Sequence, residues 1–150
     1  MTDTSHDIRT LNGLIATTID SVDGYRESAK AVETGRFAEI FQSRATERQQ
    51  IAEQLRGEVT RLGGNPEDDG TLLAGAHRVF LDLKAKVADR DDAAVIAEVE
   101  RGEDHIKAKF ESALKDDKLA LETRSAVERA FESVKAGHDQ MRDLKHGIDA

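Results

Sequence analysis

The sequence has no cysteine and no tryptophan, a single proline at position 66, and aromatic residues at only 4% of its 150 positions. The lack of cysteine excludes disulfides, thiolate metal sites and cysteine nucleophiles. With so few helix breakers, the abundance of Ala, Glu, Lys, Leu and Arg is typical of an all-helical protein. The length favours a single domain with a real hydrophobic core, spanning residues 1–150.

Other absences narrow the class of function. Apolar runs are only a few residues long, so no membrane-spanning helix is predicted. The N-terminus has no basic stretch followed by an apolar one, and we expect a cytoplasmic protein. The net charge of −8, without a block of basic residues, argues against binding nucleic acid. No nucleophile elbow or glycine-rich phosphate loop is present, which argues against the common catalytic sites.

Apolar residues repeat every three or four positions over five segments, which predicts five helices. They run from about Ser5 to Thr34, Arg36 to Leu62, Thr71 to Ala88, Asp92 to Lys115, and Asp117 to Gly147. Short links make the first two, and the last two, antiparallel hairpins. The third segment is about 17 residues long, roughly 25 Å as a helix, which suits a crossover between the two ends of a bundle. We therefore predict a ferritin-like four-helix bundle of two antiparallel hairpins with a helical crossover.

The fourth segment contains AAVIAEVERGEDHIKAKFESAL, residues 93–114, and its apolar stripe is interrupted. Glu103 stands where the stripe between Val99 and Ile106 predicts an apolar side chain. In the fifth segment, His138 stands in the stripe between Val134 and Met141.

The second segment is interrupted in the same way. Between Phe41 and Ile51 its inward positions are Arg44 and either Glu47 or Arg48.

Folding each hairpin about its turn predicts the height of these polar residues. A turn near Gly35 places Asp20 and Asp23 opposite Glu47 and Gln50. A turn near Asp117 places Glu103 level with Glu132, and Glu100 level with Lys135. Polar side chains of four helices are thus expected at one level inside the bundle, where a charge must be paired or bound to metal.

Two kinds of site satisfy this requirement. The first is an iron or manganese centre held by Asp20, Glu47, Glu100, Glu103 and His138, since carboxylates and imidazole suit these ions. The second is a salt-bridge network in which Arg44, Arg48 or Lys135 supplies the cation. The Glu-x-x-His pairs of di-metal bundles do not occur in the chain, which favours the network. An inward Arg44 would exclude a metal.

Five motifs occur in an order that resembles a known family: LNGLI…DGYR, RLGGNPEDDG, LAGAHRVFLDLK, ERGED and VKAGHDQMRDL. The resemblance is to bacterial ferritin-like four-helix-bundle proteins whose domain has no known function, sometimes grouped with stress-associated bundle proteins. It covers nearly the whole chain and implies the ferritin-like bundle. The positions that match it are Asp20, Glu100, Glu103, Asp104, His138 and Asp139.

Two functions are expected from these observations. The first is a non-catalytic, stress-associated bundle protein that contains the polar cluster and acts through a protein partner. The alternative is a metal-binding ferritin-like oxidase or storage protein that uses iron or manganese. We also expect a homodimer, on the assumption that Phe37 and Phe41 are exposed near one end of the bundle.

Overall fold

The computed structural model describes residues 4–68 and 92–149. These residues form four helices, α1 (Ser5–Ala31), α2 (Gly35–Arg61), α3 (Asp92–Leu114) and α4 (Leu121–Asp149), and none of them is in a strand. The predicted all-helical class is confirmed. The predicted crossover helix Thr71–Ala88 lies outside the described residues. None of the described helices is long and apolar enough to cross a membrane.

The helices pack as a four-helix bundle, as predicted. α1 lies against α2 and α3, and α4 lies against α3 and α2. The loop after α2 meets the start of α1, where Asn12 donates to the Asn65 carbonyl at 3.0 Å. Asp92 instead accepts hydrogen bonds at the α1–α2 turn, at the other end of the bundle. Residues 68 and 92 therefore lie at opposite ends of the bundle.

The core consists of two apolar clusters at different heights. The buried residues of the first include Leu11, Ile15, Leu55, Phe110 and Val127. Those of the second include Tyr25, Phe41, Val95, Ile96 and Met141. Burying such a side chain contributes about 1.5–3 kcal/mol. The two clusters flank a level at which the interior is polar, as the interrupted stripes predict.

The assumption behind the predicted homodimer is wrong. Phe37 and Phe41 belong to the second cluster and are only 9% and 0% exposed. The aromatic rings are taken up by the bundle's own core, so they offer no apolar surface to a second copy.

Carboxylates from neighbouring helices fasten both ends of the bundle. Asp92 accepts from the Glu33 and Thr34 N–H groups and from the Thr34 hydroxyl, at 2.8, 3.1 and 2.6 Å. Burial raises the pKa of Asp92, but these hydrogen bonds outweigh burial and the pKa is lowered overall. Asp92 thus fixes the start of α3 to the α1–α2 turn.

At the opposite end, the buried Asp7 of α1 accepts from the Ala120 N–H and the Thr123 hydroxyl, at 3.2 and 2.8 Å. The predicted start of this helix at Asp117 is wrong, because α4 begins at Leu121. A carboxylate from α1 therefore supplies the hydrogen bonds that the sequence assigned to Asp117.

Candidate functional site

A buried ion pair occupies the middle of the bundle. The Arg48 guanidinium of α2 donates to both oxygens of the Glu103 carboxylate of α3, at 2.8 and 2.6 Å. The two side chains are 0% and 2% exposed. This paired geometry is the strongest form of an arginine–carboxylate contact. The predicted inward position of Glu103 is thereby explained, because its partner comes from the diagonally opposite helix.

The other two helices complete the surroundings of the pair. Arg48 also donates to the Ser21 hydroxyl of α1 at 2.7 Å and to the Val134 carbonyl of α4 at 3.4 Å. The Tyr25 ring lies beneath the guanidinium, 5.6 Å from its carbon atom to the ring centroid. We call Ser21, Tyr25, Arg48, Glu103 and Gly137 the polar layer.

Gly137 makes room for this layer. A Cβ atom at this position would clash with the Arg48 guanidinium and lie 3.2 Å from Glu103 Oε2. A side chain at this position would have to displace the ion pair, which favours glycine in spite of its lower helix propensity.

The charges of the layer are mutually stabilised. Burial lowers the pKa of Arg48, but the Glu103 carboxylate more than compensates and the pKa is raised overall. Burial, together with the Glu103 carboxylate, raises the pKa of Tyr25 well above its ordinary value. The Tyr25 hydroxyl has no hydrogen-bond partner of good geometry within residues 4–68 and 92–149. Arg48 therefore remains a cation and Tyr25 a neutral phenol over the physiological pH range.

Glu47, the second predicted site residue, belongs to a separate cluster between α2 and α4. It accepts from Arg44 at 2.8 Å and also from the Ser133 hydroxyl. Arg44 in turn donates to Gln140 at 2.7 Å. Of the three cations predicted for the salt-bridge network, Arg48 is the one that bonds Glu103, and Arg44 bonds Glu47 and Gln140 instead.

The other predicted metal ligands do not join Glu103 in the polar layer either. His138 contacts Asp104 at 2.7 Å and Asp139 at 3.5 Å. Glu100 lies 3.3 Å from the Lys145 ammonium. Asp20 is partly buried on α1. In the part of the chain that the structure describes, no three His, Asp or Glu side chains are grouped so that they could hold a metal ion.

The arrangement at Glu103 does not suit the predicted iron or manganese centre. Both oxygens of the only predicted ligand in the layer are bonded to a guanidinium. That cation would oppose a divalent ion at the same place. The salt-bridge network, the second of the two predicted sites, is the one that these side chains form.

The predicted register of the second hairpin is wrong by a little more than one helical turn. Asp104 contacts His138, and Glu103 lies beside Gly137 rather than Glu132. The midpoints of these two contacts fall at residues 120–121, not at the predicted turn near Asp117. Gly137 was missed by the sequence analysis, although a glycine three residues after Val134, in the apolar stripe, is a usable signal.

Residues 6–116 match the family described as Domain of unknown function (DUF2383). The match covers α1, α2 and α3 and ends before α4. A comparison with curated proteins finds no matching relative.

Proposed function

Because this chain belongs to the DUF2383 family, whose description names no activity, we propose a function from the geometry of its interior. The protein is a non-catalytic helical bundle with a metal-free polar layer, and it acts through its surface. The family resemblance implies a stress-associated role. In that role the protein binds a protein partner.

The observation that carries this proposal is the paired contact between Arg48 and Glu103. The pair fills the level at which a catalytic or metal-binding bundle would hold its reacting groups. Arg48 makes further hydrogen bonds to the Ser21 hydroxyl and to the Val134 carbonyl. A divalent ion at this carboxylate would be opposed by the guanidinium that bonds both of its oxygens.

The same pair gives the interior a structural task. A buried ion pair contributes little net stability, because desolvation opposes the attraction of the charges. It does penalise every packing in which one partner loses the other. Since Arg48 and Glu103 lie on diagonally opposite helices, the pair favours one register of the two hairpins over others, as a buried polar residue does in coiled coils.

The alternative is an iron or manganese oxidase or storage protein. It requires Arg48 to leave Glu103, so that the carboxylate can turn to Asp20, Glu47, Glu100 or His138. The two alternatives therefore differ in one measurable quantity, the amount of metal bound at Glu103.

Elemental analysis of protein purified without chelator, from cells supplied with iron and manganese, tests the proposal. We expect far less than one ion of either metal per chain. Glu103→Gln is compared with Glu53→Gln, a matched change at an exposed position of α2. Near-stoichiometric metal that is lost in the first variant and kept in the second would overturn the proposal.

A further inference from the structure

An open groove of about 330 Å³ runs between α2 and α4, outside the polar layer. Its lining includes Arg36, Glu39, Ile40, Arg44, Glu47 and Gln140. The volume lies at the lower end of the range typical of small-molecule sites.

The arginine in the middle of the groove is held in place. Arg44 is only 16% exposed in its side chain. Its Nε donates to Gln140 at 2.7 Å and its Nη1 to Glu47 at 2.8 Å. A guanidinium has five N–H donors, so three remain for a ligand, and the two bonds have already fixed its orientation. This arrangement suits a carboxylate.

A carboxylate of the groove complements this cation. Glu47 Oε1 accepts both from Arg44 and from Ser133. Within the described ranges, both of these bonds end on Oε1, so Glu47 Oε2 can accept from an ammonium group. A site for a negative group thus lies next to a site for a positive one.

The rest of the groove narrows the class of ligand. Ile40 lies one helical turn before Arg44 and offers an apolar surface. Arg36 and Glu39 add one charge of each sign, so the groove favours neither a polyanion nor a polycation.

From these contacts we infer that the groove binds a small α-amino acid with an apolar side chain. Its carboxylate contacts Arg44, its ammonium group contacts Glu47, and its side chain lies along Ile40. The inference goes beyond the proposed function, since it adds a small-molecule ligand to a surface that we propose to contact a protein partner. It is tested independently of the interior, because metal content reports on Glu103 and amino-acid binding reports on the groove.

The test is a titration of the isotope-labelled 150-residue protein with L-leucine. Binding is monitored by amide chemical shifts and by calorimetry. L-leucinamide, which lacks the carboxylate, and 4-methylpentanoate, which lacks the ammonium group, are titrated in parallel. We expect saturable shifts in residues 36–47 and 140 with leucine, and binding at least about tenfold weaker for both analogues. Arg44→Gln and Glu47→Gln are expected to weaken leucine binding by a similar factor, while Arg61→Gln, at the far end of α2, leaves it unchanged.

Three results would overturn the inference. One is the lack of saturable shifts in the groove with leucine. Another is equal binding of either analogue, which would show that only one charge is recognised. The last is leucine binding that survives in both Arg44→Gln and Glu47→Gln, provided that thermal melts show the variants to be folded.

Discussion

Removing either partner of the buried ion pair should cost far more than removing both. Glu103→Leu leaves the Arg48 guanidinium in an interior where it is 0% exposed. Its remaining contacts are then the Ser21 hydroxyl, the Val134 carbonyl at 3.4 Å and the Tyr25 ring. Arg48→Met leaves the Glu103 carboxylate without its two hydrogen bonds of 2.8 and 2.6 Å. Breaking a buried pair in this way typically costs about 3–5 kcal/mol.

The double variant, Arg48→Met with Glu103→Leu, replaces the pair by side chains that continue the apolar clusters on both sides. Such replacements are often neutral or stabilising, and we expect the free energy of unfolding to lie within about 1 kcal/mol of the parent. For a chain of this size about 1 kcal/mol corresponds to 2–4 °C in Tm, so each single variant should melt about 6–20 °C lower.

Denaturant and thermal unfolding of the parent, the two single variants and the double variant form a complete cycle. Strong non-additivity is the expected result. If both single variants stay within about 0.5 kcal/mol of the parent, as substitutions at the surface do, the pair is not buried in solution and this explanation of Glu103 is refuted.

Three further predictions concern glycine packing and the two carboxylates that fasten the bundle. Gly137→Ala should destabilise the protein by about 1–3 kcal/mol through the clash with the ion pair. Gly102→Ala changes a helical position with nothing within 4 Å, and it should stabilise the protein by a few tenths to about 1 kcal/mol. Equal effects of the two variants in urea melts would contradict the close approach at Gly137. Asp92→Asn should be less stable than the parent at about pH 7. Because the folded-state pKa of Asp92 is lowered, this difference in unfolding free energy should shrink as the pH falls below about 4. A difference that stays constant with pH would refute this prediction. Asp7→Ala should lower the stability by about 1–3 kcal/mol, since it removes the acceptor of two buried or partly buried donors. Amide hydrogen exchange should then become faster in the first turn of α4. Unchanged protection there would contradict the assigned contact.

The sequence was sufficient for the features that depend on local pattern. Apolar periodicity and the break at Gly35 predict the first hairpin, and the observed contact between Ser21 and Arg48 lies at the height that a turn near Gly35 implies. The same periodicity places Glu103 inside the bundle, because Glu103 interrupts an apolar stripe that faces the core.

The features that the sequence left open depend on contacts between distant helices. Arg44 and Arg48 lie one turn apart, and periodicity does not decide which of them faces Glu103 across the bundle. Asp117 is of a residue type that often caps helices. The carboxylate that accepts hydrogen bonds at the start of α4 nevertheless comes from Asp7, more than a hundred residues away. The predicted neighbour of Glu103, Glu132, and the observed one, Gly137, are five residues apart on α4.

We propose that Arg48, and no metal ion, neutralises Glu103 inside the bundle. The most direct test adds Mn²⁺ in stoichiometric amounts to the labelled protein and measures paramagnetic broadening of the amides of Ser21, Arg48, Glu103 and Gly137. If the claim holds, these four signals keep their width while Mn²⁺ broadens exposed acidic positions weakly and non-saturably. Selective, saturable loss of the four signals at one equivalent of Mn²⁺ would contradict it.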